Sequence, residues 1–442
     1  MCAASPSRCR KDASSPVRRS PFVAISGPFL SLAVPVAVDY VAVYADHLLL
    51  PWHEAVMEQL PGIELFDAHT HTGFNDPDGF SCSAEQLVEG LELAHARAVI
   101  FTMQEPDGYP PANDRVIDEA AASDGRLVAF CRLDPADDPL AEAERALARG
   151  ARGIKLHPRA KQFRLADDRL DRVYALANER GLPVITHAGR GIPALGRDAL
   201  EITGRYPGLK LILAHAGVSD LSWIWRHAAD HPNLFFDTAW WSTLDHLTLF
   251  AYVPPGQILF ASDMPYGTTV IATILGLRAA LQAGLTLDQV REIGGRQLQR
   301  LLAGEEPLDL GPPPGDAAIR RDLVLGRIHT YLSTAAGRMM IGDDVPDYLG
   351  LARLSCEVGE DAPQAEICAS ILSLLDRAES YSAEASEPTR PSGDHSRPRP
   401  FPAVGMVIAA AAIAMTPDVP APVPDAVADT VPIPGEGPGR AV

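Results

Sequence analysis

Eight short apolar runs separated by amphipathic segments occupy residues 63–303, and they restrict the fold of this 442-residue chain more than any other feature. They are Ile63–Ala68, Ala98–Met103, Leu127–Leu133, Gly153–Leu156, Pro183–Thr186, Lys210–Ala214, Leu234–Asp237 and Ile258–Ser262. Short runs rich in Val, Ile, Leu and Phe read as strands buried on both faces, as in a parallel sheet. Helical signals lie between them. Ser83–Arg97 opens on the capping-box pattern Ser83-Ala84-Glu85-Gln86, Asp168–Arg180 is followed by Gly181, and Leu287–Leu302 has Thr286 as its N-cap. Leu140–Arg149 is a further helix, and Gly150 and Gly208 stand where helices hand over to strands. Eight such units in about 240 residues predict a (β/α)8 TIM barrel. The rival, a doubly wound open sheet, usually places a Gly-rich phosphate loop after its first strand. Here the first strand runs into His-Thr-His instead.

The flanks read differently. Residues 1–45 form an N-terminal extension, expected to be disordered, and the barrel is expected over 46–306. After the Pro/Gly-rich break Pro307–Gly315, residues 307–379 form a helical appendage with segments around 317–337, 345–356 and 364–378. Residues 380–442 are Pro/Ala-rich and expected to be a disordered tail, apart from an Ala-rich stretch near 403–415. Arg18-Arg19 ahead of Phe22–Val38 has the outline of a twin-arginine export signal, but Pro28 and Pro35 interrupt the apolar run and no small-residue cleavage site stands out. The twelve residues Val404–Met415 fall short of the roughly twenty that span a bilayer.

A net charge of −19 argues against nucleic acid or an anionic membrane as partner and leaves a small-molecule substrate, with homo-oligomerisation open. Six scattered cysteines without a C-x-x-C motif read as reduced thiols of a cytoplasmic protein.

In a barrel the chemistry sits at the carboxyl ends of strands. The first strand ends in His69-x-His71, whose spacing of two puts both side chains on one face of an extended chain. In a chain with thirteen histidines that pair alone decides little. The fourth strand, however, ends in "GIKLHP" with Lys155 and His157, the fifth in "VITHAG" with His187, the sixth in "LILAHAG" with His215, and the eighth in "LFASDMPYG" with Asp263. Five strands thus deliver imidazole, amine or carboxylate to one mouth, which reads as a metal site.

In "DAHTH", "THAG", "LAHAG" and "ASDMPYG", in this order, the chain resembles the amidohydrolase superfamily over residues 63–303. More narrowly it resembles the amidohydrolase-related branch of aminocarboxymuconate-semialdehyde decarboxylase-like metal-dependent hydrolases. The resemblance implies one divalent metal per chain, usually zinc, held by His69, His71, His187 and Asp263, with a position open to water. It also implies that His215 and Asp263 are catalytic. Lys155 lies near the place where binuclear members of the superfamily carry a bridging carboxylated lysine. The other motifs follow the mononuclear pattern, so the expectation is a single metal, with Lys155 neutralising charge or binding an anionic substrate.

Weaker signals surround this set. Arg132, Arg159 and Arg190 follow strands three, four and five; with Lys155 they suggest a carboxylate-bearing substrate, unless they are solvated loop arginines. Trp240 and Trp241 follow strand seven and line an apolar pocket or pack the rim. Asp67 is either a hydrogen-bond partner behind the histidine pair or a buried strand residue. The expected reaction is hydrolysis of a C–N or C–O bond by a metal-activated water, with Asp263 taking the water proton and His215 polarising the carbonyl or moving the proton. A non-hydrolytic decarboxylase would use the same atoms. A barrel that has lost activity and serves as a scaffold is a third reading, disfavoured by the intact residue set.

Overall fold

The computed structural model describes residues 45–77, 79–189, 194–385 and 401–424. The expected N-terminal extension up to residue 44, the export-signal outline and Arg190 lie outside the described residues.

Nine parallel strand segments follow one another around the fold. They are β1 Phe66–Thr72, β2 Arg97–Thr102, β3 Leu127–Ala129, β4 Cys131–Arg132, β5 Ile154–Leu156, β6 Pro183–Thr186, β7 Lys210–Leu213, β8 Leu234–Asp237 and β9 Ile258–Leu259. β1, β2 and β3 form one sheet, and β4 through β9 the other, in sequence order. β3 and β4 are two halves of a single barrel strand, one pairing with β2 and the other with β5. Between them the Phe130 amide donates to the Ile100 carbonyl at 2.9 Å. The segments therefore occupy eight strand positions.

The ends of the series meet through backbone hydrogen bonds. Ala68 N–H donates to Phe260 O (2.9 Å), Asp263 N–H to His69 O (2.9 Å) and His71 N–H to Met264 O (2.7 Å). Asp67 reinforces this seam. Its carboxylate accepts from the Ser262 amide (3.0 Å), the His69 amide (3.0 Å) and the Thr269 hydroxyl (3.2 Å). Phe66, Val99, Phe101, Phe130, Ile212 and Phe235 belong to one buried apolar cluster, made by strand side chains that alternate between the barrel interior and the helix layer.

The helices start where their caps predict. Ser83 and Thr286 each close a reciprocal capping box, with Gln86 and Gln289 respectively. The segment read as one helix over Leu287–Leu302 is interrupted by a wider π-helical turn at Glu292–Arg296.

Beyond the barrel, helices Leu323–Met339, Pro346–Ser355 and Ala365–Ala385 form the appendage. The Ala-rich stretch near 403–415, excepted from the disordered tail expected over 380–442, is ordered, as are the residues after it up to 424. Phe401–Met415 is a helix, and its residues from Ala403 to Ala414 are all buried. It is apolar on every face, a pattern that suits a helix enclosed by protein on all sides. It packs against Leu323–Met339 and Ala365–Ala385 and also against the barrel helices Thr243–Tyr252 and Arg278–Gln282. No helix among the described residues is long and apolar enough to cross a membrane.

Arg278 fastens this helix to the barrel. Its buried guanidinium donates to the Thr416 hydroxyl (3.0 Å) and to the carbonyls of Thr416 (3.1 Å), Val419 (2.9 Å) and Pro420 (2.6 Å). A cation at a helix C-terminus satisfies carbonyls that have no intrahelical partner and opposes the negative end of the helix dipole. Gln282 adds paired hydrogen bonds to Asp418, donating to its carboxylate at 2.7 Å and accepting from its amide at 2.9 Å. Arg278→Met should cost about 3 kcal/mol, because several buried acceptors lose their donor together. Hydrogen exchange should then lose protection over 401–415 but not in β5–β8; unchanged protection of that helix would refute the clamp.

Candidate active site and metal centre

The strand ends bring the histidine pair and Asp263 together. His69 Nε2, His71 Nε2 and Asp263 Oδ1 lie 3.2 Å from one another. Among the described residues they form a group able to hold a metal ion. The Phe101 ring packs against both imidazoles, with centroid distances of 5.1 and 4.5 Å, and lies 4.3 Å from the Lys155 amine. Lys155 is fully buried and reaches His69 Nε2 at 3.0 Å.

The proton positions follow from the partners. Asp237 Oδ2 lies 2.8 Å from His69 Nδ1; a carboxylate accepts, so Nδ1 carries the proton and the Nε2 lone pair faces the group. The Ala239 carbonyl lies 2.7 Å from His215 Nδ1 and can only accept, so that nitrogen also donates. A neutral His215 then accepts at Nε2 from His187 Nδ1, 2.9 Å away. His187 is left with a lone pair on Nε2, which is buried and has no hydrogen-bond partner.

Burial enforces the neutral forms. It holds the His69 and His71 imidazoles well below their ordinary pKa, assisted at His69 by the positive charge of Lys155 and at His71 by His69. Burial also pushes the Lys155 amine down to about 7, against the pull of Asp263, and raises the Asp263 carboxyl. Neutral imidazoles are the form that binds metal. Two imidazole nitrogens and a carboxylate oxygen converging at 3.2 Å are a donor set that fits a divalent ion.

His215 and Asp263 share an uncommon backbone state. Their φ angles are +57° and +62°, a left-handed conformation that costs a non-glycine residue roughly 1–2 kcal/mol. At His215 it is held by the amide donating to Asp237 Oδ1 at 2.7 Å, and at Asp263 by its carbonyl accepting from the Tyr266 amide at 2.7 Å. Gly189 of "THAG" supplies the space between the rings. A Cβ there would stand 2.8 Å from His215 Cδ2 and 3.1 Å from His187 Cε1.

The remaining expected residues surround one cavity of about 470 Å³, within the range of small-molecule sites. His157, Arg159, Trp240 and Trp241 line it. His157 stacks on His187 at 4.2 Å, and its Nδ1 accepts from the Ala160 amide at the start of helix Pro158–Lys161. Arg132, also in the lining, is buried; it donates to Thr102 O at 3.1 Å and lies 5.0 Å from the Tyr109 ring. Trp240 is anchored by its indole N–H to Asp245 at 2.7 Å. Asp67 takes no place in the cavity and acts through the barrel seam.

Two contributors escaped the strand-end reading. Asp237 ends β8 in "LFFD", where the same rule would have found it, and it anchors both His69 and His215. Tyr266, in the quoted "ASDMPYG", packs edge-on against His71 at 5.4 Å and donates to Asp76.

Residues 84–296 match the amidohydrolase family; the span includes Lys155, His187, His215, Asp237 and Asp263 and begins after His69 and His71. No curated protein matches the chain. Similar solved structures include an uncharacterised TIM-barrel protein from Bordetella bronchiseptica, with 18% identity over 55% of this chain and 99% of that one and a TM-score of 0.46. Another is 5-carboxyvanillate decarboxylase from Sphingomonas paucimobilis, at 15% identity over 55% and 99% of the chains and a TM-score of 0.44. A third is 4-oxalomesaconate hydratase from Rhodopseudomonas palustris, at 16% over 54% and 96% and a TM-score of 0.41.

Asp237→Asn offers a direct check of the tautomer argument. The amide oxygen can still accept from the His215 and Ala239 backbone, which turns the NH2 toward His69 Nδ1 and moves the imidazole proton to Nε2. Nitrogen-15 NMR should report the switched tautomer, and affinity for added zinc should fall roughly 10–100-fold. An unchanged tautomer with unchanged zinc affinity would contradict it. The family match over residues 84–296 and the constellation at the strand ends agree with one another: this stretch of the chain is similar to the amidohydrolase family.

Proposed function

We propose that the chain is a metal-dependent hydrolase that cleaves a C–N or C–O bond of a small carboxylate-bearing substrate and carries one zinc ion. The convergence of His69, His71 and Asp263 in a cavity also lined by Lys155, Arg132 and Arg159 is the observation that supports it most. These three residues would hold the ion, with the unpartnered Nε2 of His187 as the fourth donor. When bound, such an ion supplies Lewis acidity and makes water ionisable near neutral pH.

Asp263 accepts the water proton. His215 is neutral because burial lowers its pKa, and it stands next to Asp263, with Nδ1 3.9 Å from Oδ2. Its Nδ1 proton is held by the Ala239 carbonyl, so the base nitrogen is Nε2, which takes up a proton when the His187 hydrogen bond yields and returns it to the departing group. Arg132 and Arg159 face the substrate carboxylate, and Trp240 and Trp241 its uncharged part. Buried free thiols at Cys82, Cys131, Cys356 and Cys368 fit a cytoplasmic setting.

Metal analysis of the purified protein, with a screen of lactones, amides and enoic or aromatic carboxylates, tests this reading. About one zinc per chain and a hydrolytic product are expected; His69→Ala and Asp263→Ala should lose both metal and activity. Lys155→Ala should keep near one metal, whereas two metals with one lost in this variant would point to a bridging lysine. His215→Asn can still donate to Ala239 O but cannot relay a proton, so it should keep its metal and lose roughly 10²-fold or more in kcat. Loss of metal from His215→Asn would make that residue a ligand. Release of CO2 in place of a hydrolysis product would establish the decarboxylase alternative.

A further inference from the structure

The cavity has two chemistries in its walls. Beside the histidines and cations, its lining includes Ile271, Leu275, Met340, Val404, Gly405 and Ile408. The last four lie downstream of residue 296, outside the span that matches the family. Val404 and Ile408 are one helical turn apart and share a face, which helix Phe401–Met415 presents to the cavity while its other faces pack against protein.

The position of that face is closely determined. Gly405 lets the helix approach the barrel, since a Cβ there would stand 2.9 Å from Ile271 Cδ1. Arg278, a buried cation whose hydrogen bonds go to Thr416, Val419 and Pro420, holds the helix end. A cavity serving only a small polar substrate gains nothing from an aliphatic wall, because water against such a surface is unfavourable. An apolar group placed there would be driven in by the same effect.

We infer that helix Phe401–Met415 is the specificity wall of the active site and that the substrate is amphipathic. Its carboxylate meets the cations at the strand ends, and an apolar arm lies against Ile271, Leu275, Val404 and Ile408. This inference rests on reading the cavity as the active site.

Calorimetric titration of the full-length protein with straight-chain carboxylates from acetate to octanoate tests it. Affinity should rise roughly fourfold per methylene, as expected for burying each CH2 group, so octanoate should bind about a hundredfold or more tighter than butyrate. Val404→Thr keeps the side-chain shape and replaces one methyl with a hydroxyl; Ile408→Thr is the second variant. In each, the octanoate-to-butyrate affinity ratio should fall at least tenfold with the thermal melt and metal content recorded alongside. If Ile408→Thr does not fold, the near-isosteric Val404→Thr decides. Equal affinity for all lengths in the unaltered protein, or an unchanged ratio in a folded variant, overturns the wall. A protein that binds no member of the series overturns instead the functional reading beneath it.

Discussion

Asp237 carries a negative charge into a place that water does not reach, and the site is organised around what that charge demands. Burial raises its pKa, and two backbone amides and one imidazole that donate to it pull the other way. Each donor is useful elsewhere. The His69 proton is drawn to Nδ1, leaving Nε2 for the centre of the site. The amide of His215 is held in a backbone state that the chain would otherwise avoid, which aims the imidazole at His187. One carboxylate at the end of β8 therefore sets the tautomer of His69 and the backbone position of His215, two residues on two other strands. A carboxamide of the same size would fill the space and reverse the His69 tautomer.

Much of the barrel was readable because its signals are local. Capping boxes at Ser83 and Thr286, apolar strand runs and the glycine in "THAG" all act within a few residues of themselves. The site was readable because a barrel sends chemistry to strand ends, and His69, His71, Lys155, His187, His215 and Asp263 are polar residues closing apolar runs. Asp237 obeys the same rule, but a lone carboxylate after two phenylalanines carries no ligand texture. Its meaning comes from the His69 imidazole and the His215 backbone amide, 168 and 22 residues away in sequence.

The tail was harder to read for a related reason. Composition over 380–442 argues for disorder, and the apolar stretch within it lacks the periodicity that normally betrays a surface helix. Its order depends on Arg278, some 138 residues earlier, and on the helices of the appendage. No window along the sequence contains both partners. The barrel supplies the reacting groups, while the later segments supply the aliphatic side of the same cavity. Replacing those segments could change what enters without touching the chemistry.

The distance along the chain also imposes an order in time. Asp263 is followed by 137 further residues before Phe401 emerges during synthesis. At roughly 5–20 residues per second, that interval is on the order of 7–30 s. Every strand-end residue of the candidate site already exists during it, yet Ile271 and Leu275 still lack the helix that will cover them. A newborn barrel thus passes through a stage with its strand-end cluster in hand and an unguarded oily flank. Whatever binds aliphatic surface in the cell has its opportunity then, before Arg278 receives the carbonyls it is waiting for.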